Sequence, residues 1–146
     1  MPDLISANSK GSVMVVHAHA ENGQKIVDYV PRFPKIIGTT YVQPRPDVYN
    51  YGGYSDGDRA LFLAMALGAS PIVLAGMDMG ENVGKYSKTP TRLKEVKKVK
   101  LKLCKEILEW GAKTHKEKIY NITTGGEKLK GFVKIHPENI GDVLKK

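Results

Sequence analysis

Short β-branched apolar runs alternate along this chain with stretches of helical periodicity, and that alternation restricts the fold more than any other feature. "GSVMVVHAHA" holds a compact run from Val13 to Val16 ending at His17, too short for a helix, and it reads as a buried strand. "ENGQKIVDYV" follows with Ile26, Val27 and Val30 on one face, a short helix. "PKIIGTT" is a second strand. The stretch "YVQPRPDVYNYGG", with two prolines and two glycines, then predicts a long loop without regular structure. A helix opening near Asp56 or Gly57 carries Ala60, Leu61, Leu63, Ala64 and Leu67 and closes at Gly68. "PIVLAG" is a third strand, a long helix runs from about Thr91 to Ala112, and "EKIYNITTGG" supplies a fourth strand. Strands separated by helices in this order predict a mainly parallel sheet covered on both faces. The expected fold is α/β, a Rossmann-like three-layer sandwich.

At 146 residues and 41% apolar content the chain suits one domain, residues 1–146, with a real core. Its longest apolar run, within Ala60 to Ala69, falls far short of the roughly 20 residues that span a bilayer, so no membrane span is expected. "MPDLISANSKGS" has no basic segment leading into an apolar one, and a cytoplasmic location is the default expectation. The single Cys104 cannot form an internal disulfide, and no Cys or His stand at zinc-finger spacing.

The net charge of +8 is unevenly placed. From Lys88 to Lys105 eight basic residues face the single acid Glu95. Leu93, Val96, Val99, Leu103 and Ile107 recur among them at steps of three and four, predicting an amphipathic helix that buries this stripe. The lysines then form a solvated face. A nucleic-acid surface is the competing reading, and the segment lacks the aromatic residues that stack on bases.

In a parallel sheet, ligands bind outside the carboxyl ends of the strands. That rule gathers "HAHAEN", "TTYVQPRPDVYNYGGYSDGDR", "GMDMGENVGKYS" and "ITTGG" onto one rim. In "GGYSDGDR", Gly52 and Gly53 permit close backbone approach, Ser55 or Asp56 can cap the helix, and the helix N-terminus offers free N–H groups to a phosphate. Arg59 can add bidentate contacts, and Asp56 with Asp58 can hold a hydrated magnesium ion. Plain helix capping explains one of the acids. His17 and His19 stand two apart, on one side of a continuing strand, and suit substrate contacts better than a zinc set. Asp78, between Gly76 and Gly80, and then Glu81 can read the edge of a heterocycle or ligate a metal; the alternative for Asp78 is a tight turn. Lys85 can close over an anion. Tyr49, Tyr51 and Tyr54 offer an apolar wall or pin their loop.

Taken together, "VVHAHAEN", "GTT", "GGYSDGDRALFLAMALGA", "IVLAGMDMGE" and "GKYS", in this order, resemble the archaeal 6-hydroxymethyl-7,8-dihydropterin pyrophosphokinase family, whose domain also occurs in bacterial motility-associated factors. The resemblance covers roughly Gly11 to Leu108. It implies pyrophosphoryl transfer from ATP to a reduced pterin with release of AMP, with Mg2+ as cofactor and ATP as co-substrate. Asp56 and Asp58 would hold the metal. Arg59 and Lys85 would face phosphate, His17, His19 and Asn22 would orient substrates, and Asp78 or Glu81 would meet the amino-pyrimidine edge. Two departures stand out. The family's "HAHGDN" here reads "HAHAEN", and family members resemble a longer chain with a glycine-rich nucleotide motif upstream. The expectation is therefore a C-terminal part of the family's domain, self-associating through exposed apolar sheet surface. A binding or scaffold module without turnover stays open beside the enzyme reading, as does the nucleic-acid surface.

Overall fold

The computed structural model describes residues 2–79 and 94–145. Its contacts group the chain into two compact units, Met1–Tyr51 and Gly52–Lys146. Both are α/β, and the strands within each are paired in parallel.

The first unit opens with helix α1 (Pro2–Ser9), which the sequence reading did not anticipate. Its Asn8 is almost wholly buried and ties the helix to the start of the sheet, donating from Nδ2 to the carbonyls of Ser12 (2.6 Å) and Lys35 (2.7 Å). Strand β1 (Met14–His17) pairs with β2 (Ile36–Thr39) across helix α2 (Gly23–Tyr29), as the alternation predicts. Burial is shallower than expected: Val13 and Val15 keep 53% and 46% of their surface exposed. The stretch expected to lack regular structure contains a two-residue strand, β3 (Val48–Tyr49), paired with the end of β2. Proline and glycine content hid it, because so short a strand has no periodicity to read. Gly38 makes the pairing possible, since a Cβ there would lie 2.8 Å from the Asp47 carbonyl oxygen.

The second unit holds the hydrophobic core. Helix α3 (Asp56–Ala66) precedes β4 (Ile72–Leu74). The long helix α4 (Lys94–Thr114) precedes β5 (Ile119–Asn121), and β6 (Phe132–Lys134) follows it, in the sheet order β4-β5-β6. A short helix α5 (Ile140–Leu144) ends the description. Neither β6 nor α5 was read from sequence. Leu61 of α3, Ile72 and Leu74 of β4, Cys104 and Leu108 of α4, Ile119 of β5 and Phe132 of β6 are buried together with Met79 and Leu129.

Gly68 ends α3 as its pattern predicts. It adopts φ +70°, its N–H donates to the Met65 carbonyl (3.0 Å), and the Ala69 N–H reaches the Ala64 carbonyl (2.9 Å), the two bonds of a Schellman ending. Leu67, expected on the buried face, is 63% exposed. Helix α4 corrects the sequence reading more sharply. Of the stripe expected to be buried, Val96 is 52% exposed, Val99 68% and Leu103 39%, Ile107 is half-buried, and Leu93, with the expected helix start near Thr91, lies outside the described residues. Cys104 and Leu108 face the core instead, with Leu101 and Ala112 packed beside them. The helix thus carries two apolar faces, and the stronger periodicity belongs to the outer one.

Leu108 is completely buried, so Leu108→Ala should lower unfolding free energy by about 2–5 kcal/mol, whereas Leu67→Ala should stay within roughly 0.5 kcal/mol. Urea titrations of both variants would check this, and equal losses would contradict the assignment of the core.

Candidate functional site

The turn from Gly52 to Ser55 is built by two glycines and one carboxylate. Gly52 and Gly53 adopt φ of +91° and +84°, where side chains are strained. At Gly53 the approach is also close, because a Cβ would lie 2.7 Å from the Arg59 nitrogen and 2.8 Å from its Cα. The chain then enters α3 through Ser55, whose side chain accepts the N–H of Asp58 while Asp58 returns the bond, a capping box with Asp in the third helical position. Asp58 has no solvent exposure. Its carboxylate accepts the N–H of Tyr54 (2.8 Å), the N–H of Ser55 (2.6 Å) and the hydroxyl of Ser55 (2.5 Å).

This separates two acids that the sequence treats alike. Asp58, expected to share a metal with Asp56, is committed to backbone and hydroxyl donors, so the structure gives it a capping role. Asp56, at the first position of α3, is exposed. Arg59 is half-buried, and its Nη2 donates to the Tyr54 carbonyl (3.2 Å), bracing the same turn. Among the described residues no group of three His, Cys, Asp or Glu side chains is placed to hold a metal ion.

Three segments of this unit meet at the carboxyl ends of its strands. After β4, the Met77 N–H donates to the buried Thr123 hydroxyl (2.9 Å), and the Ile122 N–H donates to the Leu74 carbonyl (2.9 Å). Thr123 is held in turn by its own N–H to Asn121 Oδ1 (2.8 Å). Beyond it, a Cβ on Gly125 would lie 3.0 Å from Asp78 Oδ1, and one on Gly126 would lie 2.8 Å from both the nitrogen and the oxygen of Met79. The exposed Asp78 is therefore pressed against the glycine pair of "TTGG". The third segment is the start of α3, where a Cβ on Gly57 would touch Met77 Cε at 2.8 Å. Glu81 and Lys85 lie outside the described residues.

The first unit has its own polar cluster after β1 and β2. The rings of His17, His19 and Tyr41 form a triangle with centroids 5.6, 6.0 and 6.2 Å apart. Asn22 shapes the turn that carries the histidines: its Oδ1 accepts the His19 N–H (2.9 Å) and its Nδ2 donates to the His17 carbonyl (2.8 Å). Asn22 is thus a clamp for this turn. His19 Nδ1 accepts the Glu21 N–H (3.2 Å), so the neutral ring carries its proton on Nε2. Tyr49 and Tyr51 stack loosely, 5.8 Å apart. Tyr41, Asn121, Thr123 and the Gly125–Gly126 pair were not singled out one by one from sequence. The rule that sites form beyond strand ends points to their segments, and only the coordinates show which residues brace them.

The strands of both units run parallel, and these glycine turns and carboxylates lie beyond their carboxyl ends, where α/β sheets place their ligands. Comparison with known proteins narrows this. The family described as "6-hydroxymethylpterin diphosphokinase MptE-like" matches residues 1–84. The chain is 47% identical over 116 residues to the 6-hydroxymethyl-7,8-dihydropterin pyrophosphokinase of Methanothermobacter thermautotrophicus, covering 75% of this chain and 50% of that one. It is 46% identical over 125 residues to the protein of the same name from Pyrococcus furiosus, covering 83% and 53%. With that of Methanocaldococcus jannaschii it shares 41% identity over 90 residues, covering 58% and 37%. No solved structure gives a significant match. The chain belongs to the MptE-like 6-hydroxymethylpterin diphosphokinase family, and it spans about half the length of the curated relatives it matches.

Two consequences follow for the capped turn. Ser55→Ala should lower stability by about 0.5–2 kcal/mol through loss of the cap. Asp58→Ala, which strands two amide donors, should lower it by about 1–3 kcal/mol. Denaturant midpoints would test the order, and an Asp58→Ala protein as stable as wild type would refute the capping role. Cys104 supplies a pH signature. Burial pushes its thiol up from the ordinary 9.0, a hydrogen bond with Ser55 opposes this, and the Asp58 charge adds to it. The folded chain then holds the thiol proton at a pH where the unfolded chain has released it. The stability contributed by the neutral thiol is complete below 9.0 and is lost as pH rises from there through the folded value. The stability difference between wild type and Cys104→Ala should therefore shift against wild type as pH rises above 9.0. A difference unchanged over that range would show that burial does not act on the thiol.

Proposed function

We propose that this chain acts in magnesium-dependent pyrophosphoryl transfer from ATP to the hydroxymethyl oxygen of 6-hydroxymethyl-7,8-dihydropterin. In that reaction the substrate oxygen attacks the β-phosphorus, the bond from that phosphorus to the oxygen bridging the α-phosphate breaks, AMP leaves with the bridging oxygen, and the hydroxyl proton is lost. The observation that carries the proposal is the rim of the second unit, where the capped start of α3, the Asp78 loop and the "TTGG" loop converge in a chain of this family.

Such a reaction depends on positioning and charge neutralisation around the phosphates. The capping box of α3 uses the Asp58 amide and leaves those of Asp56 and Gly57, beside the Gly52–Gly53 turn, as the donors that phosphate oxygens would meet. Arg59 stands at the same turn to meet their charge. The donor set fits magnesium through Asp56, the exposed carboxylate, because this ion needs only one or two protein carboxylates and completes its shell with phosphate and water. When bound, magnesium neutralises phosphate charge. Asp58 acts through Ser55 and the turn. Asp78, exposed and backed by Gly125, is the acceptor suited to the paired N–H groups of an aminopyrimidine.

The alternative reading is binding without turnover, in which the capped start of α3 seats a phosphate and no transfer follows. AMP formation from ATP, magnesium and the dihydropterin separates the readings. Pterin-dependent AMP that falls roughly a hundredfold in Asp56→Ala, with the melting curve unchanged, is the expected result. Full activity in Asp56→Ala would remove the proposed metal carboxylate. A folded wild-type chain that binds ATP but forms no AMP would favour the binding module.

A further inference from the structure

Helix α4 leaves an apolar stripe uncovered, and its charge pattern identifies a partner. Val96, Val99, Leu103 and Trp110 are 52%, 68%, 39% and 60% exposed, with Ile107 half-buried in line with them. Steps of three and four place all five on one side of a helix about 31 Å long, opposite the buried Cys104 and Leu108. Contiguous exposed apolar surface of this kind is where proteins meet partners.

We propose that this face is the contact between two copies of the chain, with their α4 helices crossing antiparallel about a two-fold axis at Leu103. The apolar residues are self-complementary under that operation. Leu103 meets Leu103 of the second copy, Val99 meets Ile107, and Val96 meets Trp110, so every residue of the stripe finds an apolar partner. The charges select the antiparallel sense. Between Glu95 and the axis lie Lys97, Lys98, Lys100 and Lys102 against that one acid, while beyond the axis Glu106 and Glu109 balance Lys105 and Lys113. Parallel pairing would set lysine beside lysine. Antiparallel pairing brings Lys102 towards Glu106 of the second copy and Glu95 towards its Lys113, each twice. Glu95 is 82% exposed and bonded to Lys98 at 2.9 Å, a surface pair that rearranges easily. A groove of about 690 Å³ lies beside the stripe, between this flank of α4 and Glu127.

Sedimentation velocity of the wild-type chain over a concentration series should show a reversible monomer–dimer equilibrium. Trp110, the single tryptophan, should shift its emission to the blue as dimer forms. Leu103→Lys sets two like charges on the axis and should leave a monomer with unchanged far-ultraviolet circular dichroism, since Leu103 lies outside the core. Lys102→Glu and Glu106→Lys, each alone, should weaken the dimer roughly tenfold, and the two together should restore it. That rescue distinguishes an antiparallel α4 contact from any other association. A wild-type chain monomeric at all concentrations would overturn the proposal, as would a dimer indifferent to Leu103→Lys, or single charge variants that the pair does not rescue. None of these readouts depends on the proposed activity.

Discussion

The buried carboxylate of Asp58 is the interaction on which the candidate site depends. Taking a carboxylate out of water is unfavourable unless donors replace its hydration. Here they come from the Tyr54 and Ser55 amides and the Ser55 hydroxyl, at a helix N-terminus whose dipole favours negative charge. Satisfying Asp58 therefore forces the chain to turn back over the first turn of α3. Only glycine can occupy the approach to that turn at Gly53, because the backbone of Arg59 fills the space where a side chain would go. The same geometry keeps Arg59 beside the turn through its bond to the Tyr54 carbonyl. Asp56 is left exposed on a support that cannot easily move. The acid that looks like a ligand in the sequence thus positions the one that can be.

From this point the constraint passes along the rim. Gly57 lies against Met77, the Met77 amide is bound by Thr123, and Thr123 is held by Asn121 at the end of β5. The last two links use buried polar groups, Thr123 and Asn121, with partners, which is the condition for a polar network to stiffen a structure. Asp78 sits between Met77, fixed through its amide, and Met79, fixed in the core, and its carboxylate rests on Gly125. Exposure of the side chain and rigidity of its backbone coexist there.

The elements legible in the sequence are those whose local signals agree with their tertiary setting. The strands at Val13 to Val16 and at "PIVLAG", helix α3 and its ending at Gly68 all combine periodicity with a boundary residue. Strand β3 was hidden by its length and β6 by its neighbours, "GFVK" offering two apolar residues and no alternation. The face of α4 misled for a different reason. Periodicity records where apolar residues lie, and it does not say which of two apolar faces meets the core. Cys104, Leu108 and Ala112 form the less hydrophobic stripe, and they are buried because small and medium side chains let the helix approach the sheet closely. Within the site, spacing located the turn and its polar residues but could not divide labour between Asp56 and Asp58, since both are good first-turn acids. Burial makes that division.

The family match takes in only part of the second unit's core, and this bears on how the site is held. Residues 1–84 carry the match and contain "HAHAEN", "YSDGDR" and "AGMD". The second unit's core joins Leu61, Ile72, Leu74 and Met79 from within that stretch to Cys104, Leu108, Ile119, Leu129 and Phe132 beyond it. The "TTGG" loop that backs Asp78, and the Thr123 hydroxyl that fixes Met77, also lie beyond it. The Met77–Asp78 end of the rim is therefore placed by residues outside the matched stretch. A site whose ligands come from short motifs needs this kind of distant support, because a carboxylate displaced by even an ångström loses the alignment that phosphoryl transfer requires. In this chain the support is the packing of α4 and the β4-β5-β6 sheet, which makes the later part of the sequence as necessary to the rim as the motifs themselves.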